Sequence, residues 1–456
     1  MQKTESEKDK SNILNMTSGN PMRLIIMFAL PIFAGNLFQQ LYNVCDIMIA
    51  GYNLGDDAVA AIGATGSIYS LIIGLSNGLN NGYAIIVARF FGAKNREKLK
   101  KSVALMLVFN IAASLFLTVI SAAAIEHLLY LLKTPAEIFD QAYQYIFIIL
   151  LGMPATIAYN MEAGLLRALG NSKTPLFFLI LSSIVNIVLD LFFIAVLHTG
   201  VRGAAFATVV SQILSVVLCF IHILRHFPEL RLKKRDFCFS TGLAADMFIT
   251  GLSMGMMSSI FSIGSVVLQS AINGLGTAVV TAHTVARKIV TICMQPLSTL
   301  STANATFVSQ NFGAGKMNRI ITGIKKTCLA GFVWSAFIFI AVNAFAGRIV
   351  TLFSGTTDGE VIKYAVMNLR INMPFYFPLG ILFVLRTSLQ GLGRKAAPLI
   401  SSGIEMAFKL FATWVLVPLF GYVGASIAEP LTWLMCMLFL SVSFFKVLKT
   451  KKEIFT

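Results

Sequence analysis

Apolar stretches, each about as long as a lipid bilayer is thick, follow one another along this chain of 456 residues. About 20 consecutive apolar residues span the hydrocarbon core as a helix, and every backbone polar group must then be paired inside that helix. The composition agrees, because 57% of the residues are hydrophobic, only 12% are charged and the mean hydropathy is +0.79. We therefore expect an all-α integral membrane protein.

Glycine and proline residues separate these stretches and divide the sequence into twelve spans. The predicted spans are 22–50, 58–89, 99–126, 137–163, 173–197, 201–225, 244–272, 279–310, 320–346, 360–388, 396–418 and 422–447. The first 20 residues lack the apolar segment of a signal peptide, so they predict a short cytoplasmic tail.

The distribution of basic residues explains a net charge of +16 without a nucleic-acid partner. Of the 36 Lys and Arg residues, 27 lie in the tails and alternate loops, four lie in the opposite loops and five lie within spans. This asymmetry follows the positive-inside rule and predicts that both termini are cytoplasmic.

The two halves of the chain resemble each other at an offset of 221 residues. LGDDAVAAIG (54–63) matches LGTAVVTAHT (275–284), VARFFGA (87–93) matches VSQNFGA (308–314), and GVRGAAFA (200–207) matches GYVGASIA (421–428). RALGNSKTP (167–175) matches QGLGRKAAP (390–398) with a two-residue slip. Six spans separate equivalent positions, so the repeat predicts two six-helix lobes related by an axis along the membrane normal.

This organisation predicts five segments. They are a cytoplasmic tail (1–21), an N-lobe (22–226), a basic cytoplasmic linker (227–243), a C-lobe (244–447) and a second cytoplasmic tail (448–456).

Several motifs resemble those of the multidrug and toxic compound extrusion (MATE) transporters, in the branch with DinF-like and MepA-like proteins. They are QQLYNVCDIMIAG in the first span, FFGAKN and NFGAGK after spans two and eight, LLRALGNSKTP and LQGLGRKAAP after spans four and ten, and NIVLD in span five. The resemblance implies a monomeric antiporter in the plasma (inner) membrane of a bacterium, without a cofactor or an obligate protein partner. It would export amphipathic, cationic drugs or toxic compounds in exchange for H⁺ or Na⁺ by a rocking-bundle mechanism.

A polar stripe runs through the first span. Asn36, Gln40, Asn43 and Asp46 lie on one helical face, because they are spaced by four and three residues. Polar groups are costly against lipid, so this face should point into the protein or into an aqueous cavity. A structural hydrogen-bond seam, to which the neighbouring Gln39 would also belong, is the alternative for the amides.

The fifth span carries a second acid on a polar face. Ser183, Asn186 and Asp190 are spaced by three and four residues, and both Asp46 and Asp190 fall in the outer halves of their spans. The resemblance implies that Asp46, Asn186 and Asp190 form an ion-coupling cluster. Asp46 and Asp190 would bind a metal ion only if the coupling ion is Na⁺, and the sequence leaves H⁺ and Na⁺ open.

Pro31 lies fifteen residues before Asp46, inside the same span. Proline removes a backbone hydrogen bond from a helix and permits a kink. We predict a conformational hinge at Pro31 that responds to the charge on Asp46; a static kink is the alternative.

The C-lobe equivalents of the two acids are not acidic. Asp46 corresponds to Val267, and Asp190 corresponds to about 411–413, so coupling by the N-lobe alone is expected. The segment GMMSSIFSIGSVVLQSAING (255–274) of span seven has no carboxylate, unlike that of some MATE branches. Gln269 in this segment is a candidate cavity residue with Asn36, Gln40, Asn43 and Ser183. Glu405 and Lys409, four residues apart, predict a structural ion pair or a gate.

Three further inferences concern partners and alternatives. Depth in the membrane alone suggests that Arg370 pairs with Glu429. A flippase for lipid-linked saccharides, from the same superfamily, is the alternative function, since Arg287, Lys288, Arg370 and Lys409 could hold phosphates. An enzyme is not expected, because the five histidines are scattered and the sequence contains no phosphate-binding GxxxxGK[ST] loop.

Overall fold

The computed structural model describes residues 13–455, with side chains through residue 449. Within this range the chain is helical and contains no strand. The first seven helices are α1 (Pro21–Leu54), α2 (Asp56–Gly92), α3 (Arg96–Leu131), α4 (Ala136–Leu151), α5 (Met153–Ala168), α6 (Lys173–Asp190) and α7 (Val201–His226). The second series is α8 (Thr241–Asn273), α9 (Thr277–Gly313), α10 (Met317–Ser354), α11 (Gly359–Asn372), α12 (Tyr376–Gly391), α13 (Ala396–Phe411), α14 (Val417–Phe420) and α15 (Tyr422–Phe455).

Ten continuous helical segments of the described chain are long and apolar enough to cross a membrane. The pair α4 and α5 passes the same test together as an eleventh span, bent by 47° where the sequence predicts one unbroken span. The remaining predicted span, 279–310, corresponds to α9, a helix of 37 residues that is not in this apolar set. Its polar side chains, including His283 and Arg287, lower its hydropathy below that of its neighbours.

Some helix ends follow directly from local sequence. The side chain of Asn95 accepts a hydrogen bond from the backbone N–H of Lys98 and caps the start of α3. Asp358 caps α11 by accepting from the backbone N–H groups of Glu360 and Val361. Helix α10 ends at Gly355, whose φ of 66° lies in the left-handed region that favours glycine.

Two helices leave the α-helical geometry at matching places in the repeat. A π-helical turn, Leu191–Val196, follows the last residue of α6, and another, Ala412–Leu416, follows the last residue of α13. Such turns occur often at functional sites, because they redirect the side chains around them.

The described chain forms two compact units whose limits fall inside helices. Unit 1 contains residues 13–16 and Leu30–Gly255, and unit 2 contains Thr17–Ala29 and the residues from Met256 onward. The first limit lies beside Pro31. The lobe boundaries at 226 and 244, drawn from the repeat, stay a prediction.

Unit 1 has two apolar cores, one around Val87, Leu105 and Leu166 and another around Ala61 and Leu129. An apolar cluster of unit 2 includes Ile272, Ala412, Ala425 and Ala428. These residues come from helices that are far apart in the sequence, so each unit is held together by tertiary packing rather than by local contacts.

The first part of α8 packs closely on α2 within unit 1. A Cβ atom on Gly82 would lie 2.6 Å from the Cα of Gly251, and one on Gly78 would lie 2.6 Å from the Cα of Gly255. Small residues allow this approach of two backbones, as in other membrane helix pairs.

Candidate ion-coupling site

The two acids singled out in the sequence meet in unit 1. Asp46 lies on α1, and Asp190 is the last residue of α6, immediately before a π-helical turn. Their side chains lie within hydrogen-bonding reach of each other. Spans one and five therefore place their carboxylates at one point, as their depths suggest.

Asn186 bridges the two acids from the preceding turn of α6. With its amide oriented to satisfy its neighbours, its nitrogen donates to Asp46 Oδ1 at 2.9 Å and to Asp190 Oδ2 at 3.3 Å. Its oxygen accepts from the backbone N–H of Thr208 at 3.1 Å, which fixes this orientation. The amide thus holds two carboxylates with one nitrogen.

The three members of this carboxylate cluster (Asp46, Asn186 and Asp190) differ in exposure. Asp190 and Asn186 are each 1% exposed, whereas Asp46 is half-buried. No hydrogen-bond donor among the described residues reaches Asp190 Oδ1. Tyr42, one turn before Asp46, lies within hydrogen-bonding reach of that carboxylate and of Thr208. The cluster is closed at Asp190 and accessible at Asp46.

Two carboxylates this close to each other repel strongly when both are charged and one of them is buried away from water. The shared amide supplies only a neutral dipole. One proton or one small cation between the oxygens would remove the repulsion. Carboxylate, amide and hydroxyl oxygens can ligate Na⁺, while within the described residues no group of three or more His, Cys, Asp or Glu side chains converges as a metal site.

Two of the remaining predicted cavity residues, Ser183 and Gln269, make hydrogen bonds outside this cluster. Asn36 is half-buried, and Gln40 and Asn43 are exposed on α1. The hydroxyl of Ser183 donates to the carbonyl of Leu179 at 2.9 Å. Gln269, in unit 2, donates to Asn273 Oδ1 at 2.9 Å. Their assignment to a substrate cavity stays a prediction.

Unit 2 contains charged residues of its own. Lys409 Nζ lies 3.3 Å from Glu405 Oε1, and Arg386 Nη2 lies 3.4 Å from Glu405 Oε2. Glu429 pairs with Arg287, not with Arg370, which is exposed. Depth alone suggested Arg370, but depth does not tell which face of a helix a side chain occupies.

Sequence reasoning missed Glu162, a buried carboxylate of unit 1. Glu162, on α5, is 3% exposed, and its Oε2 atom has no hydrogen-bond partner among the described residues. Its side chain lies within hydrogen-bonding reach of Cys219 on α7. An acid in the apolar segment MEAGLLRALG is the sequence signal for this site. Its burial could not be predicted, because it depends on the bend between α4 and α5.

Comparison with known proteins identifies the fold and the family. The sequence matches the MatE family over residues 31–192 and 253–415. It is 26% identical over 400 residues to the Bacillus subtilis protein "Probable multidrug resistance protein YoeA", covering 86% of this chain and 84% of that protein. It is 22% identical over 420 residues to the Staphylococcus aureus "Multidrug export protein MepA", covering 91% and 92% of the two chains.

Solved structures give the same fold. An outward-facing structure of a multidrug resistance MATE family transporter matches with a TM-score of 0.86 at 22% identity, over 99% of this chain and all of that one. A Pyrococcus furiosus transporter of the MOP superfamily, whose description refers to a binding pocket of reverse polarity, matches with a TM-score of 0.84 at 23% identity. It covers 97% of this chain and 98% of its own.

The family match covers both halves of the repeat, the relatives match along most of their length, and the two-lobe helical fold agrees with the solved structures. The chain therefore belongs to the MatE family and is a multi-pass membrane transporter of the multidrug efflux type.

Proposed function

We propose that this transporter is a secondary antiporter that exports amphipathic cations in exchange for H⁺ or Na⁺, and that the ion binds between Asp46 and Asp190. The observation that carries the proposal is the bridge made by Asn186, whose single nitrogen reaches both carboxylates. A buried pair of acids with only a neutral donor between them has an unmet need for positive charge.

The ion would act by changing the repulsion between α1 and α6. With a cation bound, the two carboxylates are compensated and can stay together. When the cation leaves, Coulomb repulsion in a medium of low dielectric favours their separation. Asp46 is the mobile partner in this scheme, because it is half-buried while Asp190 and Asn186 are fully enclosed.

Pro31 is the proposed hinge for that movement. It lies within α1, and the limit between units falls beside it, at Leu30. The fifteen residues from Pro31 to Asp46 form about 22 Å of helix, so a small bend at the proline displaces the acid by several ångströms. Binding of the ion would thereby be linked to the position of the outer part of α1.

Efflux measurements in proteoliposomes test the proposal. A fluorescent amphipathic cation is loaded, and either a proton or a sodium gradient is imposed on the wild type, Asp46→Asn and Asp190→Asn. Gradient-driven efflux should fall to the level of empty liposomes in both variants. Asp57→Asn removes an exposed carboxylate at the start of α2 and is the matched control, expected to transport normally.

Full gradient-driven efflux in both Asp46→Asn and Asp190→Asn would contradict the proposal. The hinge is tested separately with single cysteines along α1, labelled in the presence and absence of the coupling ion. Their accessibility should change in the wild type and stay constant in Asp46→Asn. An identical labelling pattern in all conditions would show that the kink at Pro31 is static.

A further inference from the structure

Two cations of unit 2 converge on one neutral oxygen. Lys409 Nζ donates to Ser265 Oγ at 3.1 Å, and Arg287 Nη2 donates to the same atom at 3.4 Å. The hydroxyl of Ser265 in turn donates to the carbonyl of Phe261 at 2.9 Å. The three side chains come from α8, α9 and α13, so the packing of three helices brings them together.

The charges around this point do not balance. Lys409 and Arg386 share Glu405, and Arg287 pairs with Glu429. These contacts join three cations to two carboxylates. Arg386 Nε also has no hydrogen-bond partner among the described residues. The cluster therefore has one positive charge and several donors in excess.

The position of Lys409 is built into the fold. Its side chain is 2% exposed, and its ammonium lies 4.0 Å from the centre of the Phe261 ring. A Cβ atom on Gly264 would lie 2.8 Å from Lys409 Cδ, so glycine leaves room for the lysine chain. A cation enclosed in a membrane helix bundle is costly and is usually paired, which favours a further anion at this point.

The site can be reached from outside the bundle. The Arg287 side chain is 31% exposed, and Ser265 is half-buried. A small cavity beside Arg287 is also lined by His283, Asn368, Asn372 and Glu429, the carboxylate that pairs with Arg287. Asn372 is 3% exposed, and its Oδ1 atom has no hydrogen-bond partner among the described residues. An acidic group could thus approach Arg287 while a neighbouring N–H or O–H of the same molecule meets Asn372.

We propose that Ser265, Arg287 and Lys409 form a subsite for a single oxyanion, such as a carboxylate, carried by an amphipathic substrate. The proposal rests on the proposed export function and narrows its substrate class to amphipathic molecules that combine a cation with one acidic group. One oxygen of the carboxylate accepts from the Lys409 ammonium and the other from the Arg287 guanidinium. Hydrogen bonds of this charge-assisted kind are shorter and stronger than those to a neutral hydroxyl.

Two dyes that differ by one acidic group test the subsite. Rhodamine 110 has a carboxylate and a delocalised cation, and rhodamine 123 is its methyl ester, which keeps the cation and loses the acid. Their equilibrium binding to purified protein in nanodiscs of phosphatidylcholine is measured by fluorescence polarisation. Wild type should bind rhodamine 110 more tightly.

Ser265→Asp places a tethered carboxylate between the two cations, and Ser265→Asn is the matched neutral control. Ser265→Asp should weaken binding of rhodamine 110 by about tenfold or more, as expected for loss of a charge-assisted contact. Binding of rhodamine 123 should not fall, which also shows that the variant is folded. Ser265→Asn, which adds no charge, should weaken binding of rhodamine 110 less than Ser265→Asp does.

A second variant removes the cation without leaving its partner charged. In Arg287→Gln combined with Glu429→Gln the preference for rhodamine 110 should shrink, while rhodamine 123 still binds. Equal changes for both dyes in either variant, or no preference in wild type, would overturn the proposal.

Nanodiscs that contain phosphatidic acid distinguish a substrate acid from a lipid phosphate. If phosphatidic acid occupies the subsite and rhodamine 110 never binds there, the assignment to a small substrate is wrong. Equilibrium binding requires no ion gradient, so the subsite and the antiport are tested separately. If the protein distinguishes the two dyes but shows no gradient-driven efflux, the proposed antiport is wrong and the proposed subsite is supported.

Discussion

Helices α6 and α13 are built on the same plan and differ in the charge that they bury. Each has a proline in its first turn, Pro175 or Pro398, and each ends in a π-helical turn. Aligned on these prolines, Asn186 of α6 corresponds to Lys409 of α13, and both are buried. Ser182 corresponds in the same way to Glu405.

The difference shows that the same helical arrangement can hold a cluster with excess negative charge or one with excess positive charge. In unit 1 a neutral amide stands between two carboxylates, so the site lacks a cation. In unit 2 the ammonium of Lys409 lies at the matching position, and the cluster around it has one more cation than carboxylates. The comparison supports ion coupling at the first site and recognition of an acid at the second.

The largest expected effect comes from placing the residue of unit 2 in unit 1. Asn186→Lys provides a permanent cation between Asp46 and Asp190, so gradient-driven efflux should fall to background while the protein stays folded. Asn186→Met has a chain of similar length without the charge. Its melting temperature should lie below that of Asn186→Lys, and the reverse order would contradict the charge deficit in unit 1.

The next effect measures the charge excess of unit 2. Glu405→Gln leaves Lys409 and Arg386 facing each other without a carboxylate and should destabilise the protein by about 3–5 kcal/mol. Lys409→Met leaves the Arg386–Glu405 pair intact and should cost only about 1–2 kcal/mol. Thermal unfolding in detergent gives both values. Equal losses would indicate that the cluster is balanced.

A smaller effect on stability distinguishes α2 from α9, the helix that matches it in the repeat. In α2 a methyl group on Gly82 meets the backbone of α8, so Gly82→Ala should cost about 1–3 kcal/mol in thermal unfolding. On the same helix, a methyl group on Gly66 would have no neighbouring atom within 4 Å, and Gly66→Ala should be neutral or slightly stabilising. At the position of α9 that matches Gly82, Ala303 is fully buried, so α9 accommodates there the methyl group that α2 would not.

The smallest effect concerns the starts of α3 and α10. Asn95 caps α3 with its side chain, whereas Lys316, its equivalent before α10, makes no such cap. Asn95→Ala should lower the stability by about 1 kcal/mol, and Asn95→Ser should restore most of it. Thermal unfolding of the two variants, compared with wild type, provides the measurement. A loss as large for Asn95→Ser would show that the cap is unimportant.

Local patterns in the sequence predict the helices and one of the two charged sites. Apolar length and loop charge locate the spans, and the three- and four-residue spacing puts Asn186 and Asp190 on one face. Asp46 and Asp190 could be expected to meet, since both fall at a similar depth within one lobe. These inferences need only the rise of a helix and the thickness of a bilayer.

The remaining features depend on which face of each helix points toward its neighbours. Arg287, rather than Arg370, faces Glu429, and spacing within one helix says nothing about that choice. The meeting of Arg287 and Lys409 at Ser265 requires three helices to pack in one arrangement. The π-helical turns and the burial of Glu162 next to Cys219 likewise arise from tertiary contacts that no local pattern encodes.

The limits of the two units carry a consequence for biosynthesis. Residues 17–29 are made before the rest of α1, yet they belong to unit 2, and unit 1 ends at Gly255, in the second half of the sequence. As the chain leaves the ribosome, unit 1 is incomplete until the first part of α8 has been inserted, and the earliest helical turns wait for partners made later. The repeat divides the sequence near its middle, whereas each compact unit contains residues from both sides of that division.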